Sequence, residues 1–305
     1  MTTANQDINF KSGYVAILGR PNTGKSTLIN KIAGKKIAIT SKKPQTTRDN
    51  IIGVHHSERM QIVFIDTPGY HKPVKKLNNY LVGQTLKAVK DTDAVLVLDD
   101  LSTKFIEDGY SAQALAELAS RRVDNIIIGI NKTDLPSISR RLDDAMELWK
   151  KQSFVKEVVP LSAKTGKGIP ELLKLIAKFL PEGPAYFPEN MITDKPKYWL
   201  YEEFIREIIF EELQQELPYS SAVKLTGFED NETGLHLSGE IFVERSSQKG
   251  MVIGKGGKMI KKIGTRARKS ISKREKREVH LALQVRVKNK WSENNNGLKE
   301  MGYEQ

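Results

Sequence analysis

Apolar residues in the first 180 positions fall into short runs rich in β-branched side chains, and amphipathic stretches separate these runs. The runs predict strands at residues 15–18, 62–65, 95–98 and 126–130, and two of the stretches predict helices at 112–119 and 171–180. Strands that alternate with helices are typical of a mostly parallel sheet covered by helices. The first part of the chain is therefore predicted to be an α/β domain.

The order of the patterns changes in the last third of the chain. Apolar residues recur on one helical face over 201–217, and alternation predicts half-buried strands over 235–243 and 279–287. This order predicts a smaller α+β domain. Between the two parts, a run of helix-breaking residues indicates a connection: Pro181, Gly183, Pro184, Pro188 and Pro196. We predict domains at 1–181 and 198–305, with a proline-rich linker at 182–197.

The distribution of charged residues indicates what the second domain binds. The 305 residues suit two domains, and 49 Lys and Arg against 37 Asp and Glu give a net charge of +12. Residues 245–290 alone carry sixteen basic and two acidic residues, a local charge of +14. Such a confined excess is typical of a nucleic-acid-binding module, with a solvated charged face as the alternative.

Other features exclude whole classes of protein. The chain has no cysteine, which excludes disulfides, thiolate metal sites and a cysteine nucleophile. Its first residues lack the pattern of a signal peptide, and no apolar run approaches the length of a membrane span. We therefore expect a cytoplasmic protein.

A phosphate-binding motif follows the first predicted strand. It fits G-x-x-x-x-G-K-[ST] and continues into a predicted helix, with the residues Gly19, Arg20, Pro21, Asn22, Thr23, Gly24, Lys25, Ser26 and Thr27. The glycines allow backbone N–H groups to surround phosphate oxygens. Lys25 can reach the β- and γ-phosphates, and the Ser26 hydroxyl can bind Mg²⁺. The alternative is a structural glycine turn.

A second motif predicts which base is bound. Directly after the strand 126–130 come Asn131, Lys132, Thr133 and Asp134. The carboxyl end of a parallel strand is where α/β sheets bind ligands. A carboxylate at Asp134 can accept from both N1–H and N2–H₂ of guanine, and adenine offers no such pair of donors. The motif therefore favours GTP over ATP.

A third motif follows the strand 61–65 and consists of Asp66, Thr67, Pro68 and Gly69. Asp66 can orient a water bound to Mg²⁺, and the Gly69 N–H can face the γ-phosphate. By itself this tetrapeptide is most often an ordinary turn.

These motifs, taken in order, resemble the nucleotide-binding boxes of translation-factor-class GTPases. Two further segments complete the set: Gln45-Thr46-Thr47-Arg48 and Ser162-Ala163-Lys164. In the basic region, residues 252–258 are similar to the GxxG turn of a KH RNA-binding domain. A GTPase domain followed by a type II KH domain resembles the bacterial Era family over essentially the whole chain. The implied fold is a P-loop α/β domain with a mostly parallel sheet, followed by a smaller α+β KH domain.

The GxxG turn also has a physical basis as an RNA site. It precedes a predicted helix at 258–273, and two helices that meet at a glycine turn can clamp nucleotides by their backbone. A helix-capping turn is the alternative. The predicted RNA-binding residues belong to the turn or to the basic side of the helix: Ile253, Gly254, Lys255, Gly256, Gly257, Lys258, Lys261, Lys262, Arg266, Arg268 and Lys269.

The resemblance implies slow, Mg²⁺-dependent hydrolysis of GTP to GDP. In the first switch, 42–50, Thr47 is expected to bind Mg²⁺, and Thr46 remains the alternative. Tyr70 stands where Ras-like GTPases have a glutamine; we expect it to shield the γ-phosphate, with a catalytic role as the alternative. Asn22 is implied as a K⁺ ligand, or else a loop hydrogen-bonding residue. Residues 162–164 are implied to pack over guanine.

The resemblance also implies the partners. These are the 3′ end of 16S ribosomal RNA and the 30S subunit, in a late assembly or rRNA maturation step, with the protein a monomer. Three rival functions stay open: an RNA-binding module with a structural nucleotide site, an ATPase, and a GTPase peripherally attached to the inner face of the cell membrane. Asp134 disfavours the ATPase, and the basic segment would attract anionic lipid.

Overall fold

The computed structural model describes residues 10–41, 43, 46–68, 88–101, 112, 116, 119–120 and 123–303. These residues form two compact units. The first unit includes the described residues in 10–38, 47–68 and 88–194, and the second includes those in 39–46 and 195–303. Among the described residues, no helix is long and apolar enough to cross a bilayer.

The first unit is built on one sheet. Its strands are β1 Lys11–Gly19, β2 Ile51–Ser57, β3 Met60–Asp66, β4 Ala94–Asp99, β5 Ile126–Ile130 and β6 Val155–Pro160. Their order is β2-β3-β1-β4-β5-β6; β2 is antiparallel to β3, and the other pairs are parallel. The described helices are α1 Lys25–Ile32, α2 Pro136–Ser139, α3 Leu142–Lys150 and α4 Ile169–Ala177. The predicted mostly parallel α/β sheet is confirmed, whereas most of the predicted helix 112–119 lies outside the described residues.

Burial explains why the central strands read as continuous apolar runs. Strands β4 and β5 are buried along their whole length, as parallel strands covered on both faces must be. Because β1, β3, β4 and β5 run in the same direction, their carboxyl ends meet at one edge of the sheet. The three predicted nucleotide motifs follow β1, β3 and β5, so the fold places all of them at that edge.

The predicted linker is held by hydrogen bonds to the first unit along much of its length. Ser12 N donates to Pro181 O at 3.1 Å, and Val54 N donates to Ile192 O at 3.0 Å. The buried Gln61 accepts from the backbone N–H groups of residues 186 and 187 at 2.7 and 3.0 Å. A proline-rich chain forms no helix, so its remaining backbone groups need such partners. Residues 181–192 are therefore part of the first unit.

The second unit combines helices with a second sheet. Its elements are α5 Lys197–Glu212, β7 Ala222–Asn231, β8 Gly234–Val243, α6 Ser246–Ile253, α7 Lys258–Glu275, β9 Val279–Val287 and α8 Asn295–Glu300. The sheet order is β7-β8-β9, with β7 antiparallel and β9 parallel to β8. The helix predicted over 201–217 instead begins at Lys197 and ends at Glu212. Leu213 follows with extended backbone angles, and its side chain is buried in the core.

Part of the segment assigned by sequence to the GTPase domain lies in the second unit. Ile39 is buried in an apolar cluster with Tyr201 and Phe204. The backbone N–H of Thr40 donates to Glu207 Oε1 at 3.0 Å, and Glu207 is itself buried on α5. The described residues among 39–46 therefore belong to the second unit, although the predicted domain 1–181 includes them.

Glu202 on α5 gives a pH-dependent stability prediction. It is buried, its Oε1 accepts from Leu225 N at 2.8 Å, and burial raises its pKa. A folded-state pKa above the unfolded value means that the ionised form destabilises the fold, an effect that disappears as the pH falls. We expect Glu202→Gln, which keeps the acceptor, to raise the free energy of unfolding by about 1 kcal/mol at pH 7.5. Denaturant unfolding at a series of pH values should show this gain shrinking toward pH 4.5.

The neighbouring Glu203→Gln is the matched control for this prediction. Glu203 Oε1 accepts from Nε of the buried Arg206 at 2.6 Å, so neutralising it leaves a buried cation with a weaker partner. We expect this variant to lower the free energy of unfolding at pH 7.5. Equal effects of the two substitutions would contradict the assignment of a desolvation penalty to Glu202.

Candidate functional site

The loop between β1 and α1 has the backbone shape of an anion-binding cradle. Asn22 and Gly24 have positive φ angles of 66° and 102°, and the loop closes where Thr23 Oγ1 donates to Arg20 O at 2.9 Å. Helix α1 begins at Lys25, so its free N–H groups and positive end face the loop, and Thr27 lies in its first turn. The predicted motif residues, Gly19, Arg20, Pro21, Asn22, Thr23, Gly24, Lys25 and Ser26, therefore form one turn around a space suited to phosphate.

Lys25 is the buried cation of this loop. Its Nζ donates to the carbonyl oxygens of Gly19 and Arg20, each at 3.1 Å. Burial lowers the pKa of Lys25 to about 8, and the charges of Asp66 and Asp100 oppose this shift. An anion in the loop would restore the preference for the charged form, so Lys25 is suited to a phosphate ligand.

Three oxygen-bearing side chains meet beside Lys25. Ser26 Oγ donates to Asp66 Oδ2 at 2.7 Å and lies 2.9 Å from Thr47 Oγ1. The hydroxyl of Thr46 instead donates to Lys43 O at 3.0 Å. The geometry therefore favours Thr47 over Thr46 as the partner of Ser26 and Asp66.

The Asp66 carboxylate fits a metal-bound water. Its Oδ1 is buried and has no hydrogen-bond partner among the described residues, a costly arrangement in a protein interior. Burial raises the pKa of Asp66 to about 6, against the opposing effects of Lys25 and Ser26. A divalent cation with its water shell would satisfy this oxygen and stabilise the ionised form. The oxygen donors Ser26, Thr47 and Asp66 are the type that Mg²⁺ prefers.

Asn131 connects the loops that would hold the phosphates and the base. Its Nδ2 donates to Thr23 O at 2.6 Å, and its Oδ1 accepts from Ala163 N at 2.9 Å. Gly24 makes room for it, because a Cβ at Gly24 would lie 2.3 Å from Asn131 Nδ2. The buried amide of Asn131 therefore joins two loops that are distant in sequence, since Thr23 lies 108 residues before it and Ala163 lies 32 residues after it.

Asp134 has the geometry expected of a base-reading carboxylate. Its Oδ1 accepts from Ser162 Oγ at 2.7 Å, and the residue is exposed beside the loop that contains Lys164. Thr133 N donates to Leu161 O at 3.2 Å, which connects the loops after β5 and β6. The second carboxylate oxygen is thus left to accept from a ligand.

Asp100 holds a residue of the base-binding motif in place, although no sequence motif predicts this role. Lys132, whose φ is 65°, donates from Nζ to Asp100 Oδ2 at 2.5 Å. The available signal was its position directly after β4, at the same sheet edge as the other motifs. Thr67, by contrast, donates to Ile17 O at 2.7 Å and so anchors the loop after β3 that continues into Pro68. The predicted residues Gln45, Gly69 and Tyr70 lie outside the described residues.

The GxxG turn between α6 and α7 leaves its backbone open. Gly254, Gly256 and Gly257 have φ angles of 73°, 59° and 74°. A Cβ at Gly254 would lie 2.7 Å from Met259 Cβ, whereas nothing lies within 4 Å of a Cβ at Gly256 or Gly257. Lys255 and Lys258 are exposed at the turn, next to the half-buried Ile253. The turn can therefore approach a polymer backbone closely and supply positive charge.

A groove of about 260 Å³ adjoins this turn, between α7 and the edge strand β9. Its α7 side contains Ile260, Lys261, Gly264, Thr265 and Arg268, and its β9 side contains Leu281 and Leu283. An apolar floor with cations at its rim suits unstacked bases and their phosphates.

The predicted basic side of α7 is divided by the structure. Lys261 and Arg268 line the groove, but Lys262 and Arg266 form ion pairs with Glu212 on α5, and Arg266 also pairs with Glu211. Residues spaced three or four apart share a helical face, and 262 and 266 lie on a different face from 261, 265 and 268. Lys269 is exposed. The cations Lys261, Lys262, Arg266 and Arg268 of this helix therefore do not form one surface.

Comparison with known proteins identifies a family for each of the two domains. A family described as "50S ribosome-binding GTPase" matches residues 14–132, and a KH domain family matches residues 216–292. GTPase Era of Geobacter metallireducens is 44% identical over 299 residues, which cover 97% of this chain and 99% of that protein. GTPase Era of Thermotoga maritima is 42% identical over 94% of this chain and 95% of the relative. The chain belongs to the GTPase Era family.

Solved Era structures have the same fold. A crystal structure of Era in complex with MgGDPNP and nucleotides 1506–1542 of 16S ribosomal RNA superimposes with a TM-score of 0.90 at 35% identity, covering 97% of this chain and 100% of that one. An Aquifex aeolicus Era variant bound to GDP and AlF₄⁻ gives a TM-score of 0.89 at the same identity and coverage. The predicted family, fold class and GTPase activity are thereby confirmed: as an Era-family member, the protein is a GTPase.

Proposed function

We propose that this Era-family GTPase is a switch that binds the single-stranded 3′ region of 16S ribosomal RNA in its α7–β9 groove. The role we assign is a late step of 30S subunit assembly and rRNA maturation. The main observation that supports this proposal is the groove itself, which has the open GxxG turn beside it and Lys261 and Arg268 at its rim. The related Era complex contains 16S ribosomal RNA, which supports the choice of this RNA.

The nucleotide site holds GTP or GDP with Mg²⁺. Lys25 would contact the β- and γ-phosphates, Ser26 and Thr47 would offer hydroxyl ligands to Mg²⁺, and Asp66 would orient a water of the metal shell. Mg²⁺, when bound, neutralises charge on the phosphates and holds them for attack by water. Thr47 precedes β2 by a few residues, so its hydroxyl can be withdrawn when the γ-phosphate is lost, as a switch requires.

Asn22 provides a test of monovalent-cation catalysis. It lies in the left-handed region, where asparagine and aspartate are tolerated and alanine is strained. If Asn22 is a K⁺ ligand, Asn22→Ala should remove the difference between GTP hydrolysis rates in KCl and NaCl. Asn22→Asp keeps both the turn and a side-chain oxygen and should retain that difference. An undiminished KCl-to-NaCl rate ratio in the alanine variant would exclude this role.

Coupling between nucleotide and RNA can use the segment that precedes Thr47. Residues 39–46 belong to the second unit, where Thr40 is bound to Glu207 and Lys43 Nζ donates to Leu213 O. Thr47 belongs to the first unit, one peptide bond further on. A change at Thr47 therefore reaches the RNA-binding unit through the chain itself. For such coupling to act, GTP and RNA must favour the same arrangement.

The experiment that tests the switch compares RNA binding in three nucleotide states. A single-stranded RNA copied from the 3′ end of 16S ribosomal RNA is titrated against the full chain with a GTP analogue, with GDP, or without nucleotide. We expect about tenfold tighter binding with the analogue, within the usual range of coupling between sites. RNA should then tighten analogue binding by the same factor. Equal affinity in all three states would mean that the chain carries two independent modules.

We place the protein in the cytoplasm as a monomer, with peripheral contact to the inner face of the membrane as a secondary possibility. The +14 charge of residues 245–290 is the observation that favours lipid contact. Sedimentation with vesicles containing anionic lipid, in the presence and absence of RNA, distinguishes the two ligands. Loss of vesicle binding when RNA is added would mean that both use the same basic surface.

A further inference from the structure

A depression in the second unit extends from the β9 edge of the sheet, where Arg268 of α7 lines it, onto the face opposite to α7. Side chains alternate along a strand, so Leu281 and Leu283 face α7 while His280 and Ala282 face the other way. The depression has a volume of about 580 Å³, within the range of small-molecule sites, and Gly227, Ser238 and Ala282 are among its lining residues. These three are register partners on β7, β8 and β9, so their small side chains lie side by side.

A pair of stacked histidines forms one wall of this depression. His236 on β8 and His280 on β9 are register partners, with ring centroids 4.5 Å apart and planes inclined by 17°. His236 lies 3.2 Å from the hydroxyl of Thr233, and His280 is 3.5 Å from a carboxylate oxygen of Glu278. Glu229 completes the same cross-strand row on β7. Among the described residues no group of three or more His, Cys, Asp or Glu side chains could hold a metal. The parallel rings of the pair offer an aromatic face for stacking.

The depression is continuous with the groove beside the GxxG turn. Arg268 and Leu281 line both spaces. Strand β9 is the edge of the described sheet, so a chain that leaves the groove can cross over this edge onto the opposite face. The guanidinium of Arg268 lies at the crossing, where it can bind the phosphate that joins the two spaces.

We propose that this depression is a second RNA subsite, which binds the nucleotide next to those in the groove. The base stacks against the His236–His280 pair, and Arg268 holds the connecting phosphate. Imidazole rings serve as stacking partners for unpaired bases, and the small residues on the floor leave room for a base. The subsite rests on the proposed RNA function of the groove and extends the bound RNA beyond the four nucleotides that a KH turn clamps.

The test is a length series of single-stranded RNA, bound to the full chain with GTP analogue and followed by fluorescence anisotropy. Four-nucleotide RNA fills only the groove, whereas eight-nucleotide RNA also reaches the histidine pair. We expect His236→Ala combined with His280→Ala to weaken binding of the longer RNA about tenfold, the usual effect of one stacked base, and to leave the shorter RNA unchanged. The unchanged short RNA also shows that the variant is folded.

Two further variants test whether the aromatic faces of His236 and His280 make the contact with the base. Replacing both histidines with phenylalanine keeps the aromatic faces and should restore most of the affinity for the longer RNA. Gln284→Ala, on the same face of β9 but outside the lining, should change nothing. Wild-type affinity of the double alanine variant for eight-nucleotide RNA would overturn the subsite. Failure of the wild-type protein to bind any RNA of the series would instead overturn the proposed function of the groove.

Discussion

Asp134→Asn is expected to abolish tight GTP binding and to create binding of xanthosine triphosphate. The Ser162 hydroxyl donates to Asp134 Oδ1 at 2.7 Å, so an asparagine can keep this bond and turn its Nδ2 toward the base. The amide donor then faces the N2–H₂ donor of guanine, and two donors cannot pair. Xanthine has a carbonyl at C2, which accepts from the same amide. Mismatched buried hydrogen bonds are strongly rejected, so we expect GTP affinity to fall by at least about a hundredfold.

Thermal unfolding with each nucleotide measures this change of specificity, because a ligand that binds only the folded state raises the melting temperature. Wild-type protein should be stabilised by GTP and not by ATP or xanthosine triphosphate, and the variant should show the reverse for GTP and xanthosine triphosphate. Asp144→Asn, on α3, serves as a control with the same change of charge. A variant at Asp134 that still binds GTP like the wild type would mean that this carboxylate does not read the base.

The second large effect is expected from two adjacent lysines on α7. Lys261 lines the groove, and Lys262 pairs with Glu212 on α5. Lys261→Glu places a negative charge where RNA phosphates pass, and should weaken RNA binding by one to two orders of magnitude. Lys262→Glu makes the same change of charge on the other face, so its effect on RNA affinity should be several times smaller. The local structural cost should be larger there, because Glu212 loses a partner.

Titrations at several salt concentrations separate these effects. Removing one phosphate contact lowers the slope of log affinity against log salt by roughly 0.7 for single-stranded RNA. Lys261→Glu should therefore show a shallower slope than wild type, and Lys262→Glu should keep nearly the wild-type slope. Equal losses of affinity and slope in both variants would show that the RNA path includes the α5 side of the helix.

The sequence allowed the sheet and the nucleotide motifs to be predicted because their signals are local. Apolar runs identify buried strands, and a parallel arrangement brings the motifs after β1, β3 and β5 to one edge. Contacts between distant segments could not be predicted in this way. Asp100 has no motif of its own, and its role depends on Lys132 having a positive φ angle. Charge counts likewise cannot show that Glu211 and Glu212 neutralise part of the basic helix, since these residues lie about fifty positions upstream.

The limits of the elements were also set by tertiary contacts. Helix α5 ends at Glu212, although its apolar pattern continues to Leu217, and both Leu213 and Leu217 are buried in the core beyond the end of the helix. The composition of the proline-rich segment predicts a linker without contacts to either domain. Hydrogen bonds with Ser12, Val54 and Gln61 instead hold this segment against the first unit. A hydrogen bond also connects the described part of segment 39–46 with the second unit, because Thr40 N donates to Glu207 on α5.

The side-chain amide of Asn131, which lies against Gly24, separates the nucleotide site into two parts. The phosphate loop and the base loop form the part that we call the anchor, and the region around Thr47 forms the part that we call the sensor. Since this one side chain bonds to both Thr23 and Ala163, the phosphate loop and the base loop are ordered together before any ligand arrives. Apart from Lys25, which reaches the γ-phosphate as well, both loops meet parts of the ligand that GTP and GDP have in common. Discrimination between the two nucleotides therefore depends on the γ-phosphate contacts of Lys25 and of the Thr47 side. A substitution in the anchor should change how long any guanine nucleotide stays bound, and one in the sensor should change which state the protein reports.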